Sequence, residues 1–182
     1  KKEMIMEEHP EVSYIYNDEF GDTNTSKSLL RGLRLTGSDP VLWLNGDVVF
    51  DPTVLEIVQP YIDRDQSFVA VNTESVSDEE VKYTLDDRGF INEISKEVSA
   101  GLGEAVGINF VGSSDKPFLT ARLEDCGPQD YFERGIELAI QRDRRKFRAV
   151  DISAARCMEV DFPTDLAQAE TTFADLGSVR KG

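Results

Sequence analysis

The sequence predicts an α/β fold, a three-layer sandwich built on a mostly parallel mixed sheet of the Rossmann-like kind. Two observations lead there. Short apolar or β-branched runs alternate with stretches whose apolar residues recur at helical spacing, the order produced when helices cross over between parallel strands. In addition, Val41-Leu42-Trp43-Leu44 is continuously apolar, as in a strand buried on both faces.

The elements follow in order. Val12 to Tyr16 reads as a short strand ending at Asn17-Asp18. Asp22 to Asn24 offer N-caps for a helix through "TSKSLLRGLRL", with Leu29, Leu30 and Leu33 as its apolar stripe. Gly37-Ser38-Asp39-Pro40 ends that helix and Val41 to Leu44 form the next strand. Asp51 and Pro52 suit a helix start, and Val54, Ile57, Val58, Tyr61 and Ile62 continue at helical spacing. Ser67 to Val71 is a strand. Lys82 to Leu85 and Phe90 to Ile94 flank Asp86-Asp87-Arg88-Gly89 as a hairpin. Ala105 to Val111 is a strand, Ser113 to Asp115 open a helix through Leu123, and a further helix begins at Pro128. Phe147 to Ile152 and Cys157 to Val160 are extended, and Pro163 to Leu176 form a last helix. No repeat, low-complexity tract or linker interrupts the order, so residues 1–182 read as one domain.

Composition narrows the function. With 35 acidic against 20 basic residues the net charge is −15, which disfavours nucleic acid as a partner, because phosphate backbones are held by clustered Lys and Arg. A small phosphorylated ligand, held by a metal ion and one or two lysines, is compatible with the same charge. No apolar run approaches the roughly 20 residues of a membrane helix, and "KKEMIMEEHPE" lacks the pattern of a signal peptide. Cys126 and Cys157 fit no metal-ligand spacing and read as reduced, buried thiols of a cytoplasmic protein. A lone His9 makes zinc or His-based catalysis a poor fit.

Acids at strand ends are the candidate site. In open α/β sheets ligands bind beyond the carboxyl ends of the strands. Asp47 lies there, after Leu44-Asn45-Gly46, with Gly46 permitting an unusual backbone angle or the close approach of a ligand. "CMEVDFPTDL" repeats the form, with Asp161 between an extended segment and a Pro-started helix. Two such carboxylates can share one hard divalent cation. Each also has a plainer reading: Asp47 as a turn residue, Asp161 as a helix N-cap. Asp51 and Asp165 are best explained as helix-start acids.

Together, "YIYNDEFGDTNTSKSLLRGL", "VLWLNGDVVFDP", "GFINEISKEV", "GEAVGINF", "DYFERGIELAI" and "EVDFPTDLAQAE" resemble the nucleotidyltransferases that make nucleoside-diphosphate sugars and alcohols. The phosphocholine and inositol-phosphate cytidylyltransferase branch is the most similar. The resemblance implies the nucleotide-diphospho-sugar transferase fold and a Mg2+-dependent transfer from a nucleoside triphosphate, CTP in this branch, to a phosphorylated small-molecule acceptor. It implies Asp47 and Asp161 as magnesium ligands and Lys96 beside a phosphate. Asn24 and Ser28 match the segment closing around the nucleotide. Glu104 matches the acceptor site, Glu133 the flank of the acceptor pocket, and Tyr131 and Phe132 an apolar or cation-facing wall. Without the resemblance, Lys96 reads as a solvated hairpin lysine, Glu104 as a strand-end acid and the two aromatics as core.

The family's GxGxR loop, whose backbone N–H groups hold the triphosphate, has no counterpart in this chain. The sequence therefore predicts an N-terminally truncated domain lacking its first βαβ region. Such a domain would have little transferase activity alone and an exposed sheet edge through which copies can associate. Two other readings stand beside this one. A GT-A-type glycosyltransferase also sets a metal-binding acid after a strand, but its usual Asp-x-Asp is not met by "NGDVV". A non-catalytic regulatory or assembly module of the same fold is the third.

Overall fold

The computed structural model describes residues 2–74 and 80–176. Among them the chain runs α1 (Lys2–Glu8), α2 (Thr25–Leu35), β1 (Val41–Leu44), β2 (Val48–Phe50), α3 (Thr53–Ile62), β3 (Phe68–Asn72), β4 (Lys82–Leu85), β5 (Ile91–Ser95) and β6 (Glu104–Val111). It continues through α4 (Lys116–Asp125), α5 (Phe132–Asp143), β7 (Arg148–Asp151), β8 (Cys157–Glu159) and α6 (Pro163–Thr172).

The main sheet has the order β5-β4-β6-β3-β7. β3 lies along one edge of β6, while β1 and β4 share its other edge, β1 against residues 108–111 and β4 against Glu104. The sheet is mixed, as expected, but it is not mostly parallel. Among the described residues only β3 and β7 pair in parallel, and β6 runs against β1 and β3. The strand–helix–strand rhythm correctly sets β1, β3 and β7 in one direction. β6, however, follows the hairpin with no crossover helix, and without one it enters antiparallel.

Alternate residues of β3 feed two cores. Val69 and Val71 pack with Leu30 and Leu33 of α2, Leu119 and Leu123 of α4, and Phe132 and Ile136 of α5. Phe68 and Ala70 pack with Val54 and Val58 of α3, Phe110 and Val150. The Phe68 and Phe110 rings stack at 5.7 Å. Helices thus cover both faces, giving the three layers.

Several expectations are corrected. Val12 to Tyr16 is no strand: its side chains are exposed and none of the described strands lies beside it. Tyr14 instead donates its hydroxyl to the Ile5 and His9 carbonyls, folding the segment back on α1, a helix the sequence did not announce. β1 is not buried on both faces. Among the described residues it pairs only with β6, and Leu44 is 40% exposed. α5 begins at Phe132 rather than Pro128, because residues 127–131 form a loop that docks on the start of α2. There the backbone N–H groups of Asn24 and Ser26 donate to the carbonyls of Pro128 and Asp130. α6 ends at Thr172, short of Leu176. The hairpin is as expected, with Gly89 at φ 75° and the Asp86 carboxylate accepting from the Arg88 and Phe90 N–H groups. Both cysteines are free; Cys126 is buried and Cys157 half-buried. Burial pushes both thiols up, Cys157 to about 11.

Candidate functional site

After Leu44 the chain turns through Asn45-Gly46-Asp47 into β2, which leaves the main sheet and pairs antiparallel with β8, Val48 opposite Glu159. The Val160 N–H donates to the Asp47 carbonyl at 2.9 Å, so the ribbon closes with Asp47 and Asp161 at the same end. The turn is held from β6: the Asn45 N–H donates to the Gly107 carbonyl at 2.8 Å, and Gly107 has φ +72°. A Cβ there would lie 2.7 Å from Asn45 Nδ2, so the bare backbone of Gly107 is what the Asn45 side chain rests on. The expectation of special backbone geometry at Gly46 is corrected. It lies outside the positive-φ region and has open space where a side chain would be.

The two acids next in sequence take the helix-start duties. Asp51 accepts from the Thr53 N–H and hydroxyl and pairs with Arg156 at 2.7 Å, contacts that hold its carboxyl down at about 2. Asp165 accepts from the N–H groups of Asp161 and Phe162. Phe162 carries no side-chain acceptor, so Asp165 alone caps that end. The carboxylates of Asp47 and Asp161 have no hydrogen-bond or ion-pair partner among the described residues.

Asp47 opens onto a cavity of about 430 Å³ between the sheet and the first turns of α2 and α5. Ser28, Lys96, Tyr131 and Glu133 line it as well. The loop before α5 assembles this wall: Gln129 Nε2 donates to the Asp22 carbonyl, and the Phe132 N–H donates to Thr25 Oγ1. Ser28 Oγ accepts from the buried Asn17 amide. The remaining expected residues lie outside this cavity. Asn24 caps α2, its side chain accepting from the Thr25 N–H. Glu104 lines a neighbouring hollow of about 260 Å³ with Asn72 and Cys157. Asp161 stands at the ribbon end beside Asp47.

The cavity is acidic. Burial pushes the Glu133 carboxyl up to about 7; its own backbone N–H and the charge of Lys96 partly offset this, while Glu159 adds to it. Glu159, which bridges the two hollows, is also raised to about 7 by burial and by Glu80, Asp47, Asp161 and Glu104. Lys96 Nζ lies 5.1 Å from the Tyr131 ring centroid. Sequence reasoning missed Trp43, Asn45 and Glu159. Trp43 lines the cavity and meets Phe132 edge-on at 5.7 Å. The one signal for Glu159 was its place two residues before Asp161, on the same side of an extended segment. Among the described residues no three His, Cys, Asp or Glu side chains form a metal-holding group by themselves. None of the described helices is long and apolar enough to cross a membrane.

Comparison with known proteins sets the class. The model of glycosyl transferase family 2 matches residues 3–115, and the chain belongs to that family. Its fold is that of nucleotidyltransferases. The inositol-1-phosphate CTP transferase from T. maritima superposes with a TM-score of 0.72 at 17% identity, over 93% of this chain and 69% of that one. The CTP:phosphocholine cytidylyltransferase from Streptococcus pneumoniae gives 0.67 at 14% identity, over 94% of this chain and 72% of that one. At such identities the likeness is one of fold. No curated protein matches the sequence. The nucleotidyltransferase fold agrees with the sequence resemblance, while the family match adds weight to the glycosyl-transfer alternative that the sequence set lower.

Proposed function

We propose that the chain carries the acceptor- and metal-binding part of a nucleotidyltransferase. The reaction joins a nucleoside triphosphate, CTP in this reading, to a phosphorylated alcohol or sugar. The observation that carries it is the pair Asp47 and Asp161, two unpartnered carboxylates at one end of the β2–β8 ribbon, each relieved of capping duty by a neighbouring acid. That donor set suits Mg2+, which takes carboxylate oxygens and keeps its other positions for water and substrate phosphates. Bound, the ion would polarise the α-phosphate and offset charge as it develops. Asp47 and Asp161 would hold it, and Lys96 brings a mobile positive charge to the acceptor phosphate. An acceptor phosphate oxygen bonds to the α-phosphorus, the α–β bridging bond breaks, and pyrophosphate leaves. No side-chain nucleophile is needed, since the work is positioning and charge compensation. Asn24 and Ser28 at the start of α2 serve the nucleotide; Tyr131 and Glu133 bound the acceptor, with Glu104 in the neighbouring hollow that Glu159 joins to the cavity.

A second reading, glycosyl transfer, is favoured by the family match over residues 3–115. It would use the same acids on a nucleotide-linked diphosphate, against the missing second Asp in "NGDVV". The product separates the two: pyrophosphate for the first, nucleoside diphosphate for the second. Screening nucleotides against phosphorylated acceptors for both products, alongside the relative affinity of the chain for a nucleoside triphosphate and for a nucleotide-linked sugar where turnover is low, decides between them. A parallel titration with Mn2+ by electron paramagnetic resonance tests the acids without turnover. Asp47→Asn and Asp161→Asn should each weaken Mn2+ binding by about tenfold or more, the scale of a lost charged contact, with unchanged melting. Wild-type affinity in either variant removes that residue from the site.

A further inference from the structure

The acceptor end of the cavity holds a group whose partner the proposed reaction does not name. Glu133, in the first turn of α5, is 9% exposed, and its Oε2 has no hydrogen-bond partner. A buried carboxylate oxygen left in that state costs on the order of 1–3 kcal/mol, and the cost is recovered when a donor arrives. Lys96 is near enough to act on its charge, yet no ion pair joins them, and Lys96 Nζ lies against the Tyr131 ring instead. The walls around Glu133 are aromatic: Tyr131 and Phe132 precede it in sequence, and Trp43 packs edge-on to Phe132. A recess of rings closed by a carboxylate is a site for a cation.

Two features fix which cation. Glu133 Oε2 requires a hydrogen-bond donor; a primary ammonium offers three N–H groups and a trimethylammonium offers none. A neutral polyol could donate a hydroxyl. It would leave Glu133 uncompensated in a cavity that Asp47, Glu80 and Glu159 also line. Resting on the reading above, we infer that the acceptor is a small phosphomonoester bearing a primary ammonium, its –NH3+ seated on Glu133 among Trp43, Tyr131 and Phe132. The phosphate end then points toward Lys96 and Asp47.

Calorimetric binding to the full chain in Mg2+ tests this with phosphoethanolamine, its N-methyl and N,N-dimethyl forms, phosphocholine, and glucose 1-phosphate. Phosphoethanolamine should bind tightest. Loss of the last N–H on going from dimethyl to trimethyl should weaken binding about tenfold, the scale of one charge-assisted hydrogen bond. Glu133→Gln should flatten the series while melting no lower than wild type. Equal or tighter binding of phosphocholine or glucose 1-phosphate overturns the inference, as does an unchanged order in Glu133→Gln or no binding by any of the five. Binding in the expected order that is indifferent to Mg2+ and unchanged in Asp47→Asn and Asp161→Asn would overturn the proposed reaction and leave the ammonium subsite standing.

Discussion

Glu133 sets the clearest expectation for a single residue. Burial raises its pKa to about 7 from the ordinary 4.5, so between those values the folded chain holds a proton that the unfolded chain releases. Stability attributable to Glu133 is therefore full below about pH 4.5, falls as pH rises, and is lost above about 7. Lys96 and Glu159 are the charges that face it, and they act in opposite senses. Asp51, Asp86, Asp151 and Asp175 are all shifted downward, so their contribution fades only in stronger acid, outside this window. Chemical denaturation at pH 5 and pH 8 should show wild type less stable at pH 8, with Glu133→Gln having a smaller difference and gaining stability at pH 8. A Gln variant with the wild-type slope would mean that Glu133 is solvated in the folded chain. An acid kept buried beside a cavity at the expense of stability is the pattern of a group held for a ligand.

Among the elements, the turn between β1 and β2 depends on β6. Gly107→Ala forces a side chain into a left-handed backbone position and against Asn45, and should cost roughly 2 kcal/mol or more, read as a shift of the urea midpoint. A shift near zero would show that the turn can reposition freely. The β2–β8 ribbon has its own pin: Arg156 reaches Asp51, both oxygens of Asp175 and the Thr172 carbonyl, tying the ribbon to the end of α6. Arg156→Met should speed amide exchange at Val160 and through α6 while leaving β3 and β6 protected; uniform protection would deny it that part. These elements also show what could be read in advance. Helices α2 and α3 were legible because Leu30, Leu33, Val54 and Val58 recur at helical spacing and do become buried. The hairpin was legible from Asp86 and Gly89, whose chemistry is local. β6 was mistaken in direction because its partners β1 and β3 are remote in sequence, and a continuous apolar run carries no sign of orientation. Asp47 and Asp161 drew attention through position at strand ends. Their place at one end of the ribbon, and the nearby charge of Glu159, depend on ribbon pairing that no local pattern encodes.

At the scale of the whole molecule, a charge of −15 makes self-repulsion a general term. Screening over about 10 Å at 0.1 M salt should raise the melting temperature as ionic strength increases from low values, and a flat response would place the acids in compensating pairs. Among the described residues the edge of β1 opposite β6 has no strand beside it, and Met4, Ile5, Ile15 and Phe20 are exposed. Association of copies through that edge should appear as a concentration-dependent sedimentation coefficient, and Leu42→Pro should abolish it if the edge is used; a constant coefficient would rule it out. The β2–β8 ribbon has a consequence of another kind. Its strands are far apart in the chain, the Asp51–Arg156 pair spanning 105 residues, so the two acids at its end meet only after most of the polypeptide has been synthesised and closed. A cation gripped by both has nothing to hold in a half-made or half-folded chain. Its effect should fall on the rate of coming apart: the ion would slow unfolding and leave the refolding rate unchanged, acting as a latch rather than a template.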